Sequence, residues 1–162
     1  MRTGLLLLNV SAAVALTVLT VDSGAWGAEA QGGLPRRDDF DSKLSLDWEI
    51  IRPDPSHVSL KSHPGKLTIT TQYGSIHQAQ TTAKNLYFIK MPEGVDDFVV
   101  TTCVEDLLPE TAWQQTGLLF YEDDDNFFKW VRDYTSQGFP VLNAHYEIDQ
   151  KFKGAISPVE VS

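Results

Sequence analysis

The chain has one cysteine, Cys103, in 162 residues, so no intrachain disulfide is possible and a folded domain must rely on its core. Its four histidines, His57, His63, His77 and His145, never fall at a His-x-x-x-His spacing. With one thiol beside them, a zinc site has no support. Basic residues are few: 13 Lys and Arg stand against 22 Asp and Glu, a formal charge of −9. Such a chain repels phosphate backbones, which argues against a nucleic-acid partner. No stretch of convincing length carries a helical apolar stripe. No Glu-x-Asp-x-Glu run occurs either. Glu105-Asp106 is adjacent, and Glu147 and Asp149 share a strand face without a third carboxylate. Glycosidase chemistry needs two carboxyl groups at set separations across a sugar, so a hydrolytic centre is not expected.

The N-terminus has the makeup of an export signal. Met1-Arg2 supplies positive charge, Leu5 to Val21 is mostly apolar, and Ala28-Glu29-Ala30 gives a small-x-small cleavage pattern. We expect residues 1–30 to be removed, residues 31–37 to form a short lead-in, and residues 38–162 to form one domain. The product is then secreted or periplasmic, with no membrane association after cleavage. The competing reading is an uncleaved anchor, since a run of roughly 17 apolar residues can just span a bilayer.

Downstream, short apolar segments alternate with turn signals. Strands are expected at Trp48–Arg52, His57–Lys61, Lys66–Thr71, Asn85–Lys90, Asp97–Glu105, Gln115–Tyr134 as a hairpin, and Val141–Ile148. The breakers are Pro53-Asp54-Pro55, Ser62-His63-Pro64-Gly65, Met91-Pro92-Glu93-Gly94, Pro109-Glu110 and Ser136-Gln137-Gly138. The polar stretch Ser75–Lys84 reads as a loop or single turn. This pattern indicates an all-β sandwich or barrel. Cys103 lies in an apolar run and is expected to be buried. Trp48 reads as core, Trp130 could face either sheet surface, Trp26 leaves with the signal, and Trp113 is least committed to packing. The acidic run Glu122 to Asn126 reads as a solvated hairpin tip, without the ligand spacing of a calcium loop. His63 reads as a turn residue. Asn143, His145 and Glu147 alternate on one strand face, which looks polar and solvated; the alternative is that it lines a groove.

Several segments form an ordered set: Asp38-Asp39-Phe40-Asp41, Leu46-Asp47-Trp48-Glu49, Arg52-Pro53-Asp54-Pro55, Pro64-Gly65-Lys66-Leu67-Thr68-Ile69, Lys84-Asn85-Leu86-Tyr87-Phe88, Gln115 to Leu118, and Tyr121-Glu122-Asp123-Asp124-Asp125-Asn126. From Asp38 to Lys153 the chain resembles the concanavalin A-like domain at the C-terminus of family 43 β-xylosidases, and the related DUF1349 domains. The resemblance implies a jelly-roll sandwich of two antiparallel sheets and an accessory, non-catalytic role associated with glycans. Relatives continue past the equivalent of Pro158 with further strands. The domain is therefore expected to lack its C-terminal strands and to expose a sheet edge, as a fragment or with a partner chain completing the sheet.

If the domain binds a glycan, the expected residues are Trp113, Gln115, Tyr121, Arg132 and Tyr134: aromatic rings to stack on sugars, Gln and Arg to bond hydroxyls or uronic acids. No cofactor is required. By analogy with lectin-like jelly rolls, calcium is considered at Asp38, Asp39 and Asp41. The alternatives are a fragment of a larger glycoside hydrolase and a cell-surface protein-interaction module.

Overall fold

The computed structural model describes residues 4–8, 12–15, 37–91, 98–105 and 111–160. The cleavage pattern at Ala28–Ala30, Trp26, most of the lead-in, the turn at Pro92–Gly94, Asp106 and Pro109-Glu110 lie outside the described residues. Among the described residues the regular structure is antiparallel strand, with one short 3-10 turn at Pro55–His57.

The strands, in chain order, are β1 Gly4–Leu8, β2 Ala12–Ala15, β3 Trp48–Ile51, β4 Val58–Ser59, β5 Leu67–Ile69, β6 Leu86–Lys90, β7 Cys103–Glu105, β8 Gln115–Asp123, β9 Asn126–Tyr134, β10 Pro140–Ile148 and β11 Lys151–Glu160. They form a seven-stranded sheet in the order β11-β10-β9-β8-β1-β6-β3 and a four-stranded sheet in the order β4-β5-β2-β7. Two strands fall in the apolar N-terminal segment. β1 pairs with β6 and β8, and β2 with β5 and β7.

The hairpin of β8 and β9 forms where the sequence suggests. Its register runs from Gln115 opposite Asp133 to Tyr121 opposite Phe127. Asp123 closes the tip, its Oδ1 accepting from the Asp125 N–H at 2.9 Å and Asn126 Nδ2 at 2.8 Å. This tip is not merely solvated. The half-buried Asp124 takes both arms of the Arg52 guanidinium at 2.6 and 2.9 Å and the Tyr121 hydroxyl at 2.9 Å. The bidentate geometry and partial burial make this more than a surface pair.

Gly117 is required by close approach. Its φ is +155°, and a Cβ there would lie 2.1 Å from the Trp130 carbonyl oxygen.

β11 lies at an edge of the seven-stranded sheet. Its Gly154 and Pro158 argue against a strand on propensity. An edge position with register shifts against β10, between Leu142 and Ala144 and between Tyr146 and Glu147, tolerates both.

The core gathers Phe40, Leu67, Ile69, Ile76, Leu86, Phe88, Leu119, Tyr121 and Phe127. Leu67 and Ile69 come from the four-stranded sheet, Leu119 and Tyr121 from β8. Strand alternation puts Leu119 and Tyr121 on the inward face of the large sheet. Trp48 packs on Phe40 and Tyr87, with ring centroids 6.1 and 6.0 Å apart.

The chain from Phe98 to Thr102 is irregular, and only Cys103–Glu105 pairs. The expected burial of Cys103 is therefore wrong: its side chain is exposed. Val104, on the opposite face by alternation, is half-buried.

Candidate functional site

The large sheet has an inward face with two different halves. Around β6 and β8 it is apolar and covered by Leu67 and Ile69. Across β9 and β10 the same face carries Lys129, Asp133, Asn143, His145 and Glu147, together with Gln115 from β8. Above Gln115, Lys129, His145 and Glu147 opens a cavity of about 950 Å³. Its floor includes Gln115, Lys129, His145 and Glu147, and its walls are the loop 71–78 and the segment 111–114.

The floor is polar and nearly dry. Lys129 and Glu147 are 8% and 2% exposed, and Asp133, on the same sheet face but outside the cavity lining, is 1% exposed. Lys129 Nζ donates to Gln115 Oε1 at 2.9 Å, and the ammonium sits 5.7 Å from the Phe127 ring centroid. Glu147 fastens the wall: its carboxylate takes His77 Nδ1–H at 2.5 Å and the Gln78 N–H at 2.8 Å. His145 Nε2 lies 3.9 Å from Asp133 Oδ2, too long for a hydrogen bond. Among the described residues, Asp133 Oδ1, Asn143 Oδ1 and His145 Nε2 have no hydrogen-bond partner. Burial pushes the Lys129 ammonium below the usual lysine range, against the opposing pull of Asp133 and Glu147. Burial, aided by the Lys129 charge, likewise lowers His145. Both effects follow from the cost of holding a cation away from water.

The rim is aromatic. Trp113 is 65% exposed with a positive φ of 69°, and its N–H bonds the Tyr134 carbonyl at 2.7 Å. Tyr73 stands almost free of contact. Phe152, on β11, stacks edge-on to His77.

The five residues expected to bind a glycan do not converge. Trp113 and Gln115 line the cavity. Tyr121 shares the face of Gln115, as alternation requires, but lies in the covered half, its ring 4.7 Å from Phe88 and its hydroxyl spent on Asp124. Arg132 and Tyr134 share a face with each other, but it is the opposite one, because the inward positions of β9 are Phe127, Lys129, Val131 and Asp133. The face of Asn143, His145 and Glu147 points inward instead of to open solvent, and His145 and Glu147 line the cavity, as the groove alternative for that face had it.

The aspartates considered for calcium also separate. Asp38 is buried and its carboxylate is fully engaged. It accepts from the N–H groups of Phe40, Ser45 and Leu46, from Ser45 Oγ, and from the Trp48 indole at 2.7 Å. Asp39 pairs with Arg37 at the surface. Among the described residues no group of three His, Cys, Asp or Glu has metal-holding geometry.

A glycosidase pair is not formed by the buried carboxylates. Asp133 sits opposite Val141, six residues along β10 from Glu147. That is about 20 Å of strand, beyond the roughly 5–10 Å that glycoside hydrolysis uses.

Residues 37–162 match the family described as the beta xylosidase C-terminal concanavalin A-like domain. The match covers most of the chain, and the protein belongs to that family. Its all-β antiparallel architecture fits the jelly-roll sandwich of such domains. In the enzymes that carry it, this module is C-terminal and non-catalytic. No curated protein and no solved structure matched the chain.

Proposed function

We propose that the protein is an exported accessory domain that binds a saccharide in the cavity over β9 and β10. The observation that carries this reading is an exposed aromatic rim, Trp113 and Tyr73, above a floor of buried hydrogen-bonding groups, Gln115, Lys129 and His145. Pyranose rings present C–H faces that stack on aromatic side chains and hydroxyls that need donors and acceptors. The floor lacks carboxylates at hydrolytic spacing, so the site holds a sugar without cleaving it. Family membership supports work beside a carbohydrate-active enzyme, in the same polypeptide or as a partner. Export rests on the N-terminal sequence alone, and removal of residues 1–30 would take β1 and β2 out of the two sheets.

Titration of the purified protein with xylotetraose by calorimetry tests this. Saturable binding that Trp113→Ala weakens about tenfold is the expected result. No heat up to millimolar sugar, with xylotetraose and with other neutral oligosaccharides, overturns it.

A second reading has its own observation. The outward face of the same sheet exposes Trp130, Leu142, Tyr146 and Ile148 at 37–56%. A face of that kind suits a protein surface. Light scattering across a concentration series, alone and with a family 43 catalytic domain, separates the two.

A further inference from the structure

We propose that the domain holds a strand-receptor site inside its two sheets, filled in this chain by residues 4–8 and 12–15, and that the exported form, once residues 1–30 are removed, takes an apolar, uncharged, extended segment of another polypeptide in their place. The partner rests on the export reading above. The receptor rests on the sheets alone and is separate from the cavity.

β1 and β2 are interior strands, not edges. β1 runs antiparallel to both β6 and β8, with Leu6 opposite Phe88 on one side and Leu119 on the other. β2 likewise runs antiparallel to both β5 and β7, with Ala13 opposite Thr68 and Glu105. Taking them out breaks the seven-stranded sheet into a four-stranded and a two-stranded piece, and leaves β7 with no strand partner among the described residues. Facing rows of backbone N–H and C=O groups then lose their bonds beside the core, and each such group is costly to leave unpaired.

The gaps do not close on their own. Strands on either side of a missing neighbour stand about 9.5 Å apart, twice the usual spacing. β6 and β8 are both antiparallel to β1 and so parallel to each other. Direct pairing needs a shift of about 4.8 Å and a different hydrogen-bond pattern. Contacts that involve neither β1 nor β2 hold the flanks in place. The Phe88 and Tyr121 rings meet across β1 at 4.7 Å between centroids. Arg52, just past β3, reaches Asp124, just past β8, with both arms of its guanidinium. Across the second gap Lys66, just before β5, pairs with Glu105 at the end of β7. Each gap is therefore a preformed groove, and a receptor ordered in advance loses less entropy on binding.

The receptor sets the chemistry of its guest. A strand added to a sheet is held by its main chain, and its side chains need only suit the surfaces they meet. The flanking core positions are Phe88, Leu119 and Tyr121 at the first gap and Leu67 and Ile69 at the second. A charge there would be buried without a partner, and a proline would remove a ladder bond in mid-sheet. The segments that fill the gaps, Gly4 to Leu8 and Ala12 to Ala15, contain neither.

The test uses the full chain with a protease site introduced between Ala30 and Gln31. The folded protein is cut, residues 1–30 are separated in urea, and the remainder is refolded with or without a synthetic peptide. The probe is residues 3–16 with a lysine tail for solubility, and the control is the same peptide carrying Leu6→Pro and Ala13→Pro. Saturable uptake of the probe with a melting temperature at least about 5 °C above that without peptide is expected, and the control should give neither. A remainder that melts within about 1 °C of the uncut chain without peptide, that takes up both peptides alike, or that refolds with neither overturns the proposal. Leu6→Pro in the uncut chain needs no separation: a fall of about 10 °C in melting temperature is expected, and no fall overturns the interior strand. An exported protein whose intact mass retains residues 1–30 refutes the partner. Failure of xylotetraose to bind counts against the saccharide reading and not against this one.

Discussion

The two halves of one sheet face are built by the same alternation and reach opposite ends. Around Leu119 and Phe88 the inward side chains meet Leu67 and Ile69 of the second sheet and become core. Around Lys129 and His145, one and two strands along from Leu119, inward side chains meet a cavity and become a site. Inward is therefore not the same as apolar. What a position becomes depends on whether the opposite layer reaches it, and the small sheet is too narrow to cover the large one.

That contrast can be broken from either half. Leu119→Ala should have the largest effect, about 3 kcal/mol of stability, because a fully buried side chain leaves a cavity. Urea unfolding would show it, with xylotetraose affinity unchanged wherever the variant is folded. Asp38→Ala should follow at about 2 kcal/mol, since it strands several buried donors behind the apolar half.

Acid should act at the same carboxylate. Burial works against the charge of Asp38. The hydrogen bonds from Trp48, Phe40 and Ser45 outweigh it, so its proton affinity is held below the ordinary value of 3.8. The folded state then takes up the proton less readily than the unfolded chain. Stability from this group is whole above about pH 4 and is lost as pH falls through the lowered folded value. Urea midpoints at pH 5 and pH 3 should differ in the wild type, and the part due to this group should vanish in Asp38→Asn.

On the polar half, Glu147→Gln should cost about 1 kcal/mol by weakening the bonds to His77 and Gln78. Limited proteolysis should then cut near residues 75–78 first. Trp113→Ala sharpens the contrast most. Stability should change by less than about 0.5 kcal/mol because the ring is exposed. Binding should fall about tenfold through lost stacking. A Trp113→Ala variant that is as unstable as Leu119→Ala would place the ring in the core.

Much of the architecture was legible. The strands at Trp48, Leu67, Leu86, Gln115 and Val141 lie close to their expected limits, because alternation and turn residues are local signals. Cys103 was misjudged because the apolar residues before it do not pair, and a short strand shows only one of its faces to the interior. β11 was missed because Gly154 and Pro158 speak against a strand, and only edge position permits them. The site was half-legible. Trp113 and Gln115 could be picked out as an uncommitted ring beside an amide. Lys129, His145 and Glu147 could not, because alternation shows which residues share a face but not which face another layer leaves open. A single lysine set among apolar inward positions, between Phe127 and Val131, was the one available clue.

Ile76 and His77 are neighbours in the chain with different surroundings. Ile76 is seated among the central apolar side chains, 3% exposed, while His77 lines the cavity and is fastened to Glu147. A guest that grips this wall therefore also holds a piece of the interior in place. Occupancy and unfolding become thermodynamically linked, so a saturating guest raises the melting temperature in proportion to the logarithm of its excess over Kd. Heat resistance in the presence of sugar thus becomes a readout of the site that needs no label and no substitution.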